Sequence, residues 1–274
     1  MKLNLEIIRT YLHNQNDCKC YGIEARKLIF SRPLLYEPGM VLTPGKLYVA
    51  HSRDLPKSSP VPGIGVICVG ERIHSAWIIG GVQLLCLKEG QSVLSVFNQV
   101  HSIFNYFDEW DEHLRDELEN EADFEIGRLM LLGSEMLENP LGVAGQTLQP
   151  LFHVEYCTNS SGKHKFYFNS QPQNLDSSYF DLIKQVCGLE RSLRVPYMST
   201  IDLPGKQYYC CNLYPMGYFV GCISFGADLR PFRESDFPLA DHFFQYFQKA
   251  FFKYLRDNNQ SQTPGAAALQ KLLR

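Results

Sequence analysis

Enzyme chemistry needs a reactive group and a partner that tunes it. His153 and Glu155 stand two apart in LFHVEYC. On a strand, alternate residues share a face, which makes the imidazole and the carboxylate neighbours. A working acid/base pair still needs a third group in hydrogen-bond reach, and the sequence nominates none. The chain has nine cysteines. A thiol becomes nucleophilic when a cation, a metal or a helix N-terminus lowers its pKa. Cys157 and Cys222 are the candidates for an enzyme acting on a small aromatic substrate, but no residue near them in sequence supplies such a group. Cys18-Lys19-Cys20 and the adjacent Cys210 and Cys211 lack zinc-ligand spacing. The eight histidines are scattered, and HExxH, Walker and GxSxG patterns are absent. Gly63-Ile64-Gly65 leads into more strand rather than a helix, which excludes a dinucleotide fingerprint. The expectation is a chain with no catalytic residues, no metal and no cofactor.

Binding is the better-supported chemistry. A small-molecule site needs mostly apolar walls with a few polar tips. Phe152, Tyr156, Tyr197, Met198, Tyr209, Cys211, Tyr214 and Cys222 are the candidate lining residues, and Arg194 is a candidate for an anionic group on the ligand. Strand alternation divides them. Tyr209, Cys211 and Leu213 face one way; Tyr208, Cys210 and Asn212 face the other. One set is core and the other faces the pocket or solvent, and the sequence leaves open which.

The elements that must position these residues are legible. Leu3 to Leu12 reads as a short amphipathic helix. Leu28–Leu35, Lys46–Ala50, Gly63–Val69, Ala76–Ile79 and Val82–Leu87 read as strands, with Pro33 confining the first to an edge. A long helix starts behind Ser92 as its N-cap. Its stripe of Val93, Phe97, Val100, Phe104, Phe107 and Leu114 steps by four and three, the spacing of a coiled-coil seam, broken only at Asp111. Ten acidic residues and one arginine fall between Asp108 and Glu125, so this face does not lie against nucleic acid. A second helical stretch, Phe124–Leu137, ends at Asn139-Pro140. Strands follow at Leu141–Ala144 and Leu148–Cys157. Thr158–Asp176 is polar and reads as a loop, with Lys165–Phe168 a short strand at most. Ser177 or Asp176 caps a helix to Leu189. Lys206–Tyr214 and Tyr218–Phe225 are strands. A final helix from Ser235 to about Arg256 repeats the four-three stepping in Phe244, Phe247 and Phe251.

Size and composition set the class. The 274 residues are enough for two domains. The expected fold is α/β of the α+β kind, in four segments: a strand-rich domain over 1–90, an acidic linking and dimerisation helix over 91–120, a sensory domain over 121–257, and a linker over 258–274 that begins a further region. The net charge of −3 gives no general attraction to phosphate backbones. An odd number of cysteines without an export signal suits free thiols in a cytoplasm. No stretch approaches the ~18 apolar residues of a membrane span.

Three stretches carry a likeness. IFNYFDEWDEHLRDELE (with Phe107, Trp110 and Leu114), LMLLGSEMLENPLGVAG with its Glu138-Asn139-Pro140, and YFVGCISFGADLRPFRESDFPLADHF together resemble the sensory region of PucR-type (purine catabolism regulator-like) bacterial transcription regulators. The likeness spans Ser92–Arg274, and the first ninety residues more loosely. It implies a GAF-like domain with an antiparallel sheet and flanking helices, a small-molecule effector, a homodimer, and a helix-turn-helix DNA-binding domain C-terminal to the sensor. AAALQKLLR at the end of the sequence is expected to open that further domain.

Overall fold

The computed structural model describes residues 1–12, 18–58, 60–70, 72–120, 124–147, 149–170, 191–199 and 207–258. The helices expected from Ser177 to Leu189 and from Ala266 onward lie outside these residues. The fold is α+β. Two units divide the chain: Met1–Glu112 with Arg233–Pro238, and His113–Phe232 with Leu239–Arg274. The division falls inside the acidic helix.

In the first unit, α1 (Leu5–Tyr11) is capped by Asn4, whose Oδ1 accepts from the Ile7 amide at 2.8 Å. Five strands follow: β1 (Cys18–Tyr21), β2 (Leu34–Leu35), β3 (Leu47–His51), β4 (Gly65–Val69) and β5 (Gln83–Leu87). They form one sheet in the order β1-β5-β4-β3-β2. β2 to β5 run parallel, and β1 is antiparallel on one edge. LYVAH, GVICV and QLLCL are apolar almost throughout because a parallel sheet is covered on both faces. One face carries Tyr48, Ala50, Val66, Cys68, Leu84 and Cys86, packed with Trp77.

Two expected strands here become something else. Ala76–Ile79 lies in a helix, α2 (Ser75–Ile79). It forms part of the crossover that joins parallel strands β4 and β5, which a tight turn cannot do. The helical turn sends Trp77 into the core, where Nε1 donates to the Pro56 carbonyl at 2.8 Å, and leaves Ile79 82% exposed. Of Leu28–Leu35 only Leu34–Leu35 is strand. Phe30 instead makes an isolated bridge to Leu3 and seats its ring on Gly65.

The acidic helix is α3 (Val93–Glu119), 27 residues, and Ser92 Oγ accepts from the Ser95 amide at 3.0 Å as the cap expected there. The seam expected to meet a second copy is filled by its own chain. Val100, Phe104, Phe107 and Leu114 are at most 1% exposed within the single chain, and Val93 and Phe97 are half-buried. Phe107 meets the Tyr11 ring edge-on at 5.0 Å. Val96, Ile103 and Trp110 are also buried and widen the stripe beyond an a/d seam. Asp111, the break in the stripe, is buried as well.

The second unit continues with α4 (Ile126–Leu137), then β6 (Leu141–Gly145), β7 (Pro150–Thr158), β8 (His164–Asn169), β9 (Tyr197–Met198), β10 (Tyr208–Leu213), β11 (Gly221–Gly226) and the helix α5 (Asp236–Asn258). The six strands make an antiparallel sheet in the order β8-β7-β6-β11-β10-β9. The polar stretch after Thr158 is mostly strand up to Asn169. β8 pairs with β7 from Thr158↔His164 to His153↔Asn169, because Gly162 at φ 77° lets the hairpin turn. Phe244, Phe247 and Phe251, the second expected dimer stripe, are also covered by their own chain. Phe244 lies 5.9 Å from the Tyr209 ring and 5.6 Å from Phe225.

The ENP stretch has a structural purpose. Glu138 ends α4 in the left-handed region (φ 51°), and its carboxylate accepts from Arg230 Nε at 2.8 Å. Asn139 is fully buried. Its Oδ1 accepts from the Leu229 and Arg230 amides (3.2 and 3.3 Å), and its Nδ2 donates to the Arg230 carbonyl at 3.2 Å. One amide thus fixes the loop after β11 against the start of β6.

Candidate functional site

Which face of the six-stranded sheet is core follows from the helix contacts. Gly127 of α4 sits against the Phe168 ring, and Gly133 sits against Phe243 of α5. Phe152 meets Tyr254 at 5.0 Å, and Tyr209 Oη donates to Asp241 at 2.6 Å. Gln248 donates to Cys211 Sγ at 3.8 Å. The register puts Phe152, Val154, Phe168, Val143, Ile223, Phe225, Tyr209 and Cys211 on this one face. Tyr209, Cys211 and Phe152 are therefore core residues and not pocket walls. Met198, paired with Tyr209, and Tyr156, paired with Phe166, share that register. Tyr156 lies near the strand end, is exposed, and meets the His164 ring edge-on. Burial beside Asp241 pushes the Cys211 thiol up to about 12, which keeps it protonated.

The opposite face carries a different chemistry. Tyr197, Asn212, Cys210, Cys222, Ala144, Ser224, Tyr208, His153, Glu155, Tyr167 and Asn169 point this way by alternation and register. Tyr197 Oη donates to Asn212 Oδ1 at 3.2 Å, and Asn212 Nδ2 donates to the Leu193 carbonyl at 3.2 Å. Ala144 and Cys222 are buried under Phe219. At the end of β10 two arginines stack on rings. The Arg194 guanidinium lies 3.5 Å from the Tyr214 centroid, and Arg191 lies 4.7 Å from Phe219. The two rings are 5.6 Å apart. Arg191 also donates to the Gln146 carbonyl at 3.0 Å. Both arginines are exposed.

Across the sheet on that face, Glu155 accepts from Asn169 Nδ2 at 2.7 Å. That bond and one from Tyr167 hold its carboxyl below the usual range. Burial holds His153 below the ordinary imidazole value, against the raising pull of Glu155 and Asp228. Burial also lifts the Tyr208 phenol to about 12. The face thus carries largely buried neutral donors and acceptors, one fixed carboxylate, and cations at its rim. Such groups orient and discriminate a ligand.

Of the nine candidate ligand residues, the structure brings Tyr197, Tyr214, Cys222 and Arg194 to this side of the sheet or its end. Asn212, Phe219 and Arg191 join them there without having been singled out. Alternation from Cys222 and Tyr197 points to Asn212, but Arg191 and Phe219 carry no sequence signal, because their pairing depends on where separate loops end. A cleft of about 640 Å³ in the same unit, lined by Glu135, Glu138, Lys163, His164, Lys165 and Arg230 among others, contains none of the candidate residues.

No family model matches this chain, and a search of curated proteins finds no match either. No helix among the described residues is long and apolar enough to cross a membrane.

Proposed function

We propose that this chain is the ligand-sensing region of a cytoplasmic bacterial transcription regulator of the PucR type, and that it acts by binding rather than by catalysis. In this reading a GAF-like domain over the second unit receives a small-molecule effector. The signal passes to a DNA-binding domain elsewhere in the full protein. The observation that carries the reading is the asymmetry of the six-stranded sheet. One face packs on α4 and α5, while the other carries the buried Asn212 and Cys222, the Tyr197–Asn212 hydrogen bond and, at its rim, the Arg191–Phe219–Tyr214–Arg194 stack with both arginines exposed. The likeness of Ile103–Glu119, Leu129–Gly145 and Tyr218–Phe243 to PucR-type sequences supports it independently.

Signal transfer is assigned to α3, which is continuous through the division between Glu112 and His113 and is about 40 Å long at 1.5 Å per residue. An effector shifts such an element only by the difference in its affinity for two states. A homodimer of this regulator uses a surface other than the Val100–Leu114 and Phe244–Phe251 stripes, which their own chain already covers.

The test is a thermal-shift screen of small metabolites on the whole chain. An effector at ~100 times its dissociation constant adds about 2.7 kcal/mol. The hit is expected to lose most of that shift in Arg194→Gln and Tyr197→Phe. A hit whose shift survives both substitutions binds elsewhere and overturns the assignment.

A further inference from the structure

The first unit has a cavity of its own, independent of the sensory reading. It measures about 310 Å³ and is lined by Ser52, Arg53, Leu55, Pro56, Lys57, Arg72, Ile73, His74 and Trp77. Ser52 follows β3 directly, and Arg72 lies three residues beyond the end of β4. The cavity therefore opens at the carboxyl ends of parallel strands, where open α/β sheets bind their ligands because the loops diverge there.

Among the described residues its charge is one-sided. Arg53, Lys57 and Arg72 are cationic and exposed, and no carboxylate appears among the described lining residues. Arg53 has only a long contact to Asp54, at 4.0 Å. The described residues give Lys57 and Arg72 no ion pair. His74 adds a donor: its Nδ1 accepts from the Ala76 amide at 3.3 Å, so the neutral ring carries its proton on Nε2. The floor is apolar and fixed, since Trp77 is fully buried and anchored to the Pro56 carbonyl. The strand ends are also brought unusually close. Gly70 has φ 102°, and a Cβ there would stand 2.4 Å from Ser52 Oγ. Only glycine lets the turn after β4 pass this near the serine hydroxyl.

We propose that the first unit binds a small phosphate monoester at the carboxyl ends of β3 and β4. Lys57, Arg72 and Arg53 receive the phosphate, and the organic part rests toward Trp77, Ile73 and Leu55. The charge decides between anions. A phosphate monoester carries about −1.5 to −2 near pH 7 and matches several cations, whereas a carboxylate carries one charge and leaves the pocket overcharged.

Calorimetric titration of the whole chain with phenyl phosphate, benzoate and phenol separates the contributions of phosphate, single charge and ring. Phenyl phosphate is expected to bind saturably at one site, with benzoate at least about tenfold weaker and phenol giving no binding, and to weaken as salt rises. Lys57→Gln and Arg72→Gln should each reduce its affinity about fivefold or more. Both side chains are exposed, so the unfolding midpoint without ligand should stay put. Arg194→Gln, in the other unit, should leave the affinity unchanged. The assignment fails if phenyl phosphate gives no saturable heat, if benzoate matches it, or if neither Lys57→Gln nor Arg72→Gln changes the affinity.

Discussion

His153 and Glu155 show how two residues paired by strand periodicity are sorted by their surroundings. Asn169 and Tyr167 stabilise the Glu155 carboxylate, while burial opposes a charge on His153. A histidine held below its ordinary value of about 6.5 takes up its proton more readily in the unfolded chain. Its contribution to stability is therefore complete above that value and is lost as the pH falls through it toward the lower folded value. Thermal unfolding followed from pH 7.5 to 5.5 should show a falling midpoint, and His153→Gln should flatten that slope. Equal slopes in the two proteins would exclude His153 as its source. Glu155 acts in a lower window, below about 4.5, so the two effects are separable. The sequence showed that these two side chains share a face; Asn169 and Tyr167 became visible only once β8 was paired to β7.

Helix α4 approaches its neighbours through glycines. A Cβ on Gly133 would stand 2.6 Å from the Phe243 ring, and one on Gly127 would meet Phe168 at the same distance. Alanine at an interior helical position ordinarily gains about 1 kcal/mol over glycine. Overpacking a filled core costs about 1–3 kcal/mol, and Phe243 is fully buried. Gly133→Ala should therefore destabilise by about 1 kcal/mol, read as a lower urea midpoint, despite the better helix former. A rise in the midpoint would show that the ring yields. The helices and most strands were readable from periodicity and caps, as Ser92 illustrates. Ala76–Ile79 was not, because four apolar residues suit a strand and a helical turn equally until a parallel crossover has to be closed.

For the molecule as a whole, the question is what covers the aromatic faces of α3 and α5. Phe104, Phe107, Phe244, Phe247 and Phe251 are all fully buried in one chain. Phe247→Ala should then cost about 3–5 kcal/mol as a core cavity, and should leave the dependence of the unfolding midpoint on protein concentration as it is in the unsubstituted chain. A Phe247→Ala chain whose midpoint loses that concentration dependence would return these residues to a subunit interface. From the sequence alone came the α+β class, the long capped acidic helix and the alternation that divides Tyr208, Cys210 and Asn212 from Tyr209, Cys211 and Leu213. Those depend on local spacing and nearest-neighbour hydrogen bonds, which a single strand or helix already contains. Tertiary structure alone decided which face of the second sheet packs on α4 and α5, that the apolar stripes turn inward, and that Ser52, Lys57 and Arg72 meet at the carboxyl ends of β3 and β4. Each of these depends on residues far apart in the chain, and burial of a stripe looks the same in sequence whether its cover is a second copy or the same polypeptide.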